Sequence, residues 1–329
     1  RRQRQMCIRD RVAAAAELDR LNTTQLKANF GATITGTATT TELSQIYNRT
    51  SATIDATGVT AINGSAADVH TAIDHAQVNH DNNFTVSISG TSAAAADLKA
   101  INTITSGIIT ATGVGTITGS LTDVGDVVDV DTSKGNAGQQ IDIDTDFNVT
   151  LSDTGNMSAS ALNTLNGKVP GTVTVTAAVT LTGSASDIAT AASADNAGTL
   201  ALAANFGATV SAGGVDAADL ITIYGQTSAT INATAATGIN GSAADVHTVI
   251  DHAQVNHDTN FTVSISGTSA AAADLKAIDA ITSGIITATG VETITGSISD
   301  INDVLGAETN QGTAGQQIDL DTDFTVTIT

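Results

Sequence analysis

The sequence predicts a mainly β repeat protein, a parallel β-solenoid with short capped helices at its corners. Three observations predict it. Residues 63–70, Asn-Gly-Ser-Ala-Ala-Asp-Val-His, return as residues 240–247, and the copying at this 177-residue offset runs on through Phe84/Phe261, Ile108/Ile285 and Gln140/Gln317. Within that long period, a Ser or Thr followed three residues later by Asp or Glu recurs at steps of about 26 to 38 residues. Between these signatures lie runs in which aliphatic and hydroxyl residues alternate. A single unit of this size cannot bury its own apolar face, but a stack of them does so for every interior unit.

Taken in order, each element has a local reason. Ser65/Asp68, Ser120/Asp123, Ser184/Asp187, Ser242/Asp245 and Ser297/Asp300 have capping-box spacing, with Thr39/Glu42 and Asp216/Asp219 as variants. In that arrangement the cap oxygen accepts the third amide proton, and the third carboxylate returns to the cap amide. The Ala- and Leu-rich segments behind the caps, residues 66–76, 94–101, 161–165, 185–191 and 217–224, have room for two or three helical turns. Such pieces are marginal alone and need packing. Residues 33–35, 84–88, 116–118, 147–151, 173–176 and 325–329 alternate in the two-residue period of strands with one aliphatic face. Constant steps of 26 alternate with longer ones, as in a coil whose every second turn accepts insertions. The alternative architecture is a tandem array of β-sandwich modules, disfavoured because the 177-residue period does not halve into similar parts and aromatic residues are only 2% of the chain.

The expected organisation is a leader of residues 1–12 and one continuous array over 13–329. Its long copies fall at about 30–206 and 207–329, the second truncated, and the chain starts and stops in mid-pattern like a piece of something longer. Residues 1–12 match nothing later, hold five of the 12 basic residues, and resemble a translated sequencing adapter in the run Met-Cys-Ile-Arg-Asp-Arg. They have no apolar core and so do not read as a signal peptide.

Composition excludes several functions. Asp and Glu outnumber Lys and Arg by 33 to 12, for a formal charge of -21. A nucleic-acid partner demands the opposite sign. The lone cysteine, Cys7, lies in the leader, so disulfides, thiolate metal sites and a cysteine nucleophile are not expected. No run of 18 apolar residues exists to span a membrane.

Two clusters invite chemistry. His70, His75 and His80 recur as His247, His252 and His257. A five-residue step turns each side chain about 140° around a helix, so the three share no face. They read as a polar turn between coils, with a weak metal or pH-responsive site as the alternative. The second cluster is Asp142, Asp144 and Asp146, echoed by Asp319, Asp321 and Asp323. In an extended chain each trio falls on one face, and clustered carboxylate oxygens suit Ca2+. Asp126, Asp129 and Asp131 lie upstream, replaced in the second copy by Asp303, Gly306 and Glu308. The plain alternative is a solvated acidic edge. No nucleophile elbow, phosphate loop or zinc motif occurs, and Tyr47 and Tyr224 are the only tyrosines for a glycan-binding groove. The chain therefore does not read as an enzyme, a glycan-active solenoid being the remote alternative. Pairs such as Thr110/Thr112 and Thr174/Thr176 raise a further alternative, a Thr ladder that binds ice, against ordinary strand propensity.

Residues 149–155 (Val-Thr-Leu-Ser-Asp-Thr-Gly), 158–165 (Ser-Ala-Ser-Ala-Leu-Asn-Thr-Leu) and 171–174 (Gly-Thr-Val-Thr) resemble repeats of giant secreted and cell-surface proteins of cyanobacteria and other marine bacteria. Such regions are described as adhesin-like or hemolysin-type calcium-binding. The resemblance covers roughly residues 20–329 and implies an extracellular or cell-surface location and Ca2+, although the glycine-rich nonapeptides of the toxin-like members are missing. The function expected is a structural or adhesive segment, stabilised by Ca2+ and meeting a cell surface, a glycan or itself. A passive spacer or surface-layer element is the alternative.

Overall fold

The computed structural model describes residues 29–131, 140–309 and 317–329; the leader of the sequence reading lies outside them. Two compact units are formed, one reaching Ser152 and taking in Gly167–Val173, the other made of Asp153–Asn166 and Thr174–Thr329.

The first unit carries α1 (Thr40–Tyr47), α2 (Ala66–Ile73), α3 (Ala95–Ile104) and α4 (Leu121–Asp129). Its first sheet orders Ala32–Thr39, Ile54–Gly64, Thr85–Ile88, Ile109–Ala111 and Ile141–Ile143, with Val78–His80 beside Ile54–Gly64. A second sheet in this unit pairs Ser92–Ala94, Thr116–Gly119 and Asn148–Leu151. The second unit carries α5 (Ala159–Asn166), α6 (Ala185–Ala197), α7 (Ala217–Tyr224), α8 (Ala243–Ile250), α9 (Ala272–Ile281) and α10 (Ile298–Gly306). One of its sheets orders Gly155–Ser158, Val179–Gly183, Gly207–Val210, Ile231–Asn232 and Val255–Asn256. The next orders Gly213–Asp216, Ala236–Gly241, Thr262–Ile265, Ile286–Ala288 and Ile318–Leu320, and the last Ser269–Ala271, Thr293–Gly296 and Thr325–Ile328.

These strand pairs are all parallel. An antiparallel sandwich is therefore not what forms. Nor is the chain mainly β: helices alternate with strands throughout, and the fold is a repeated α/β architecture built from successive strand–helix units. The sequence reading undercounted helix because each helix is short and Ala-rich, with its cap as the main signal. It also missed the strands Ser92–Ala94 and Ser269–Ala271, which carry no β-branched residue.

The register explains the alternating pattern. In the first sheet Ala38, Ile62, Val86, Ile109 and Ile141 stand side by side, each at most 2% exposed. The next residues form the outward row Thr39, Asn63, Ser87, Thr110 and Asp142. The second unit repeats this with Val215, Ile239, Val263, Ile286 and Ile318 inside, and Asp216, Asn240, Ser264, Thr287 and Asp319 outside. Each buried Val or Ile contributes about 1.5–3 kcal/mol relative to exposure. The helices complete the core with one face, as Ala95, Leu98 and Ile101 do in α3.

The caps form, with one correction. Only Thr39/Glu42 makes the full reciprocal box, the Thr39 amide donating to Glu42 Oε2 at 2.9 Å. At Ser65, Ser120, Ser184, Ser242 and Ser297 the hydroxyl accepts from the third amide, but the Asp carboxylate accepts the serine hydroxyl proton instead, at 2.7–2.8 Å. Asp is one methylene shorter than Glu, so its carboxylate stops at the hydroxyl. Ser158 caps α5 through the Ala161 amide at 3.3 Å even though position 161 carries no acid.

Candidate functional site: polar ties between repeats

Three kinds of side-chain tie join one repeat to the next. The first runs between helices. His70 on α2 donates from Nδ1 to Asp97 on α3 at 2.8 Å. Lys99 on α3 bridges Asp123 and Asp126 on α4, at 3.0 and 2.7 Å. Asp129 at the end of α4 holds Lys168. The second unit repeats the scheme with His247–Asp274 at 2.8 Å and Lys276 to Asp300 and Asp303 at 3.1 and 2.7 Å. The electrostatics follow the geometry. Hydrogen bonds from Asp126 and Asp123 raise the Lys99 ammonium above its usual value, and Lys99 followed by Ser120 lowers the Asp123 carboxyl. Asp300 is lowered first by Ser297 and then by Lys276. All these groups are open to solvent, so they set register and partner choice more than net stability.

A second tie is made at a buried corner. Thr105, 3% exposed, donates its hydroxyl to the carbonyl of Phe84 and accepts from the Gly107 amide at 3.0 Å. Thr282 repeats this with Phe261 and Gly284. Thr227 joins Phe206 at 2.5 Å and Thr50 joins Phe30 at 2.5 Å, each accepting from the amide two residues on. Glycine is needed where the chain then passes the phenylalanine: a Cβ on Gly107 would stand 2.2 Å from the Phe84 oxygen, and one on Gly284 2.1 Å from that of Phe261. Sequence reasoning missed this device. Its signal was present in the recurrence of Thr-Ser-Gly about 21 residues after each of two Phe-Thr-Val runs.

The histidines do not gather. His70 makes the helix tie described above. His75 stacks on Tyr47 with ring centres 4.0 Å apart, and His252 stacks on Tyr224 at 3.9 Å. His80 spans the Ile73 and Asp81 carbonyls, with Nε2 at 2.9 Å and Nδ1 at 2.7 Å, edge-on to Phe84. His257 does the same at Ile250, Asp258 and Phe261. Each imidazole thus has its own connecting role, and both copies use it alike.

The acidic runs are placed differently from the single extended face foreseen. The strands end at Ile143 and Leu320, so only Asp142 and Asp319 stand on a strand, each as the last residue of an outward polar row. Asp144 and Asp321 turn back onto the adjacent Thr145 and Thr322 amides at 2.7 and 2.6 Å, while Asp146 and Asp323 are exposed. Of the upstream acids, Asp126 and Asp129 are engaged by lysines. Asp131 and Glu308 are buried at 3% and 6% exposure, in register with Ile141 and Ile318. The first of these accepts from the Ile143 amide at 3.4 Å. Among the described residues no group of three or more His, Cys, Asp or Glu is placed to hold a metal. No described helix is long and apolar enough to cross a membrane. No family model, curated protein or solved structure matches the chain.

Proposed function

We propose that the chain is a structural segment of a large extracellular or cell-surface protein, a parallel β-solenoid with helical corners that serves as a stalk or adhesive array. The observation that carries this reading is the direction of its polar chemistry. Lys99, Lys168 and Lys276 are each engaged by carboxylates of a neighbouring repeat, and the buried threonines bond to the preceding one. Side chains used this way hold repeats in register. A catalytic or ligand-binding role would instead call for groups converging on one cleft. The location rests on the resemblance to secreted repeats and on the acidic, self-repelling surface.

Small-angle scattering tests the array directly. The wild-type chain is compared with a variant carrying one more 177-residue copy. An array gives a maximum dimension that grows with repeat number at constant cross-section; growth in all directions rejects it. Calcium is tested separately, since the six predicted carboxylates do not form a three-carboxylate face. Thermal unfolding with calcium and with chelator, in wild type and in a double Asp142→Asn, Asp319→Asn variant, decides the matter. A melting-temperature rise lost in the variant assigns calcium to these outward rows; identical melts remove it from the account.

A further inference from the structure

We infer that Phe324–Thr325–Val326–Thr327–Ile328 is an open strand-addition site for a repeat segment of the chemistry Thr-Ser-Gly-Ile-Ile-Thr. The chain contains three closely similar acceptor strands whose occupants are visible. Phe84-Thr85-Val86 is covered by Gly107-Ile108-Ile109, the Val86 amide donating to the Ile108 carbonyl at 2.9 Å. Phe261-Thr262-Val263 is covered by Gly284-Ile285-Ile286, with the equivalent bond at 2.8 Å. Phe147-Asn148-Val149 meets Gly171-Thr172, the Val149 amide donating to the Thr172 carbonyl at 3.0 Å. In all three the aromatic and aliphatic side chains are buried: Phe147, Val149 and Leu151 are 2%, 0% and 0% exposed.

The fourth strand of this type has no such cover among the described residues. Residues 324–328 stand 177 positions after residues 147–151, yet Val326 and Ile328 are 41% and 63% exposed. On its inner side the strand is paired in parallel with Thr293–Gly296, the Thr325 and Thr329 amides donating to Glu292 and Gly296 at 2.7 and 3.1 Å. Strand alternation then turns the Val326 and Ile328 amides outward, as the Val86 amide is turned toward its occupant. An edge with apolar side chains and outward-facing donors is a template for another strand.

The occupant is defined by the same comparison. It needs glycine where it passes the phenylalanine carbonyl, because a Cβ at Gly107, Gly284 or Gly171 would lie 2.1–2.7 Å from that oxygen. It needs a threonine two residues before that glycine to donate to the carbonyl, and an aliphatic residue two after it to pair with the valine. The nonapeptide Thr-Ser-Gly-Ile-Ile-Thr-Ala-Thr-Gly occurs identically at residues 105–113 and 282–290, where it does this work inside the chain. The site therefore takes a further repeat of this class.

This inference rests on the array reading but fails or stands by a different measurement. The full chain is titrated with the labelled nonapeptide and with the same peptide carrying alanine for its third residue, glycine. Binding is read by fluorescence anisotropy and located by amide hydrogen exchange. The expected result is saturable binding that slows exchange at Val326 and Ile328, with the alanine peptide weaker by about tenfold or more, as a steric clash of this kind requires. Absence of binding, equal binding of both peptides, or protection elsewhere overturns the assignment. Self-association of the chain through this edge, seen by sedimentation and blocking the peptide, also overturns it by making a second copy the occupant. The scattering experiment is unaffected by any of these outcomes.

Discussion

The hydroxyl of Thr105 binds two backbone groups at once, donating to the carbonyl of Phe84 and accepting from the amide of Gly107 at 3.0 Å. Both contacts are buried, and no water replaces a lost hydroxyl at low cost. Thr105→Val keeps the shape but leaves a donor and an acceptor unmatched. The expected loss is about 1–3 kcal/mol, read as a lower urea midpoint. Thr282→Val, at the same corner one long repeat later, should cost a similar amount. Wild-type midpoints in both variants would remove the corner as a structural tie.

A second prediction concerns α7. Its cap residue Asp216 makes no side-chain cap bond, whereas Ser242 caps α8 through Asp245 at 3.1 Å. Burial, and then the neighbouring Asp216 charge, raise the Asp219 carboxyl above its usual value. A raised acid contributes stability that is full below the unfolded value of 3.8 and is lost as pH rises through the folded one. Asp216→Ser supplies a cap and removes a like charge. It should stabilise the protein at neutral pH by about 1 kcal/mol, with less gain in acid, in paired urea titrations.

Position 279 offers a comparison between the copies. The first copy has Asn102 there and the second Asp279, and burial raises the Asp279 carboxyl. By the same sign rule, the charged form weakens the fold as pH rises. Asp279→Asn therefore raises the midpoint at neutral pH, and the difference from wild type closes in acid. A lower neutral midpoint in the variant would contradict this.

Acid should also act in the opposite sense at the lysine bridges. Asp123, held low mainly by Lys99, contributes stability that is present above 3.8 and lost as pH falls through its folded value. Lys99→Met should blunt the loss of stability on acidification below 3.8, and should reduce the salt sensitivity of the neutral midpoint. An unchanged pH profile in the variant would show that the bridge adds nothing.

Much of this was legible in the sequence because it depends on local rules. The caps, the short helices and the aliphatic strands follow from residue spacing, and Ser65, Ser184 and Ser242 stand where spacing placed them. What escaped depends on contacts distant in the chain. Nothing local distinguishes Thr105 from the exposed threonines around it; only its position against Phe84 does. The acidic run misled for a related reason. Asp142, Asp144 and Asp146 share a face only if the strand continues, and it stops at Ile143, after which Asp144 caps its own turn.

In the second unit the chain passes back and forth between two sheets: Thr262–Ile265, Ile286–Ala288 and Ile318–Leu320 join one, while Ser269–Ala271, Thr293–Gly296 and Thr325–Ile328 join the other. A pull on one repeat therefore loads both sheets together. No unit peels away without shearing a strand from each, so tension is shared among repeats that are not adjacent in sequence. Nearest-neighbour arrays can yield one repeat at a time. This chain should give way in larger cooperative blocks, a mechanical property suited to a tether under flow.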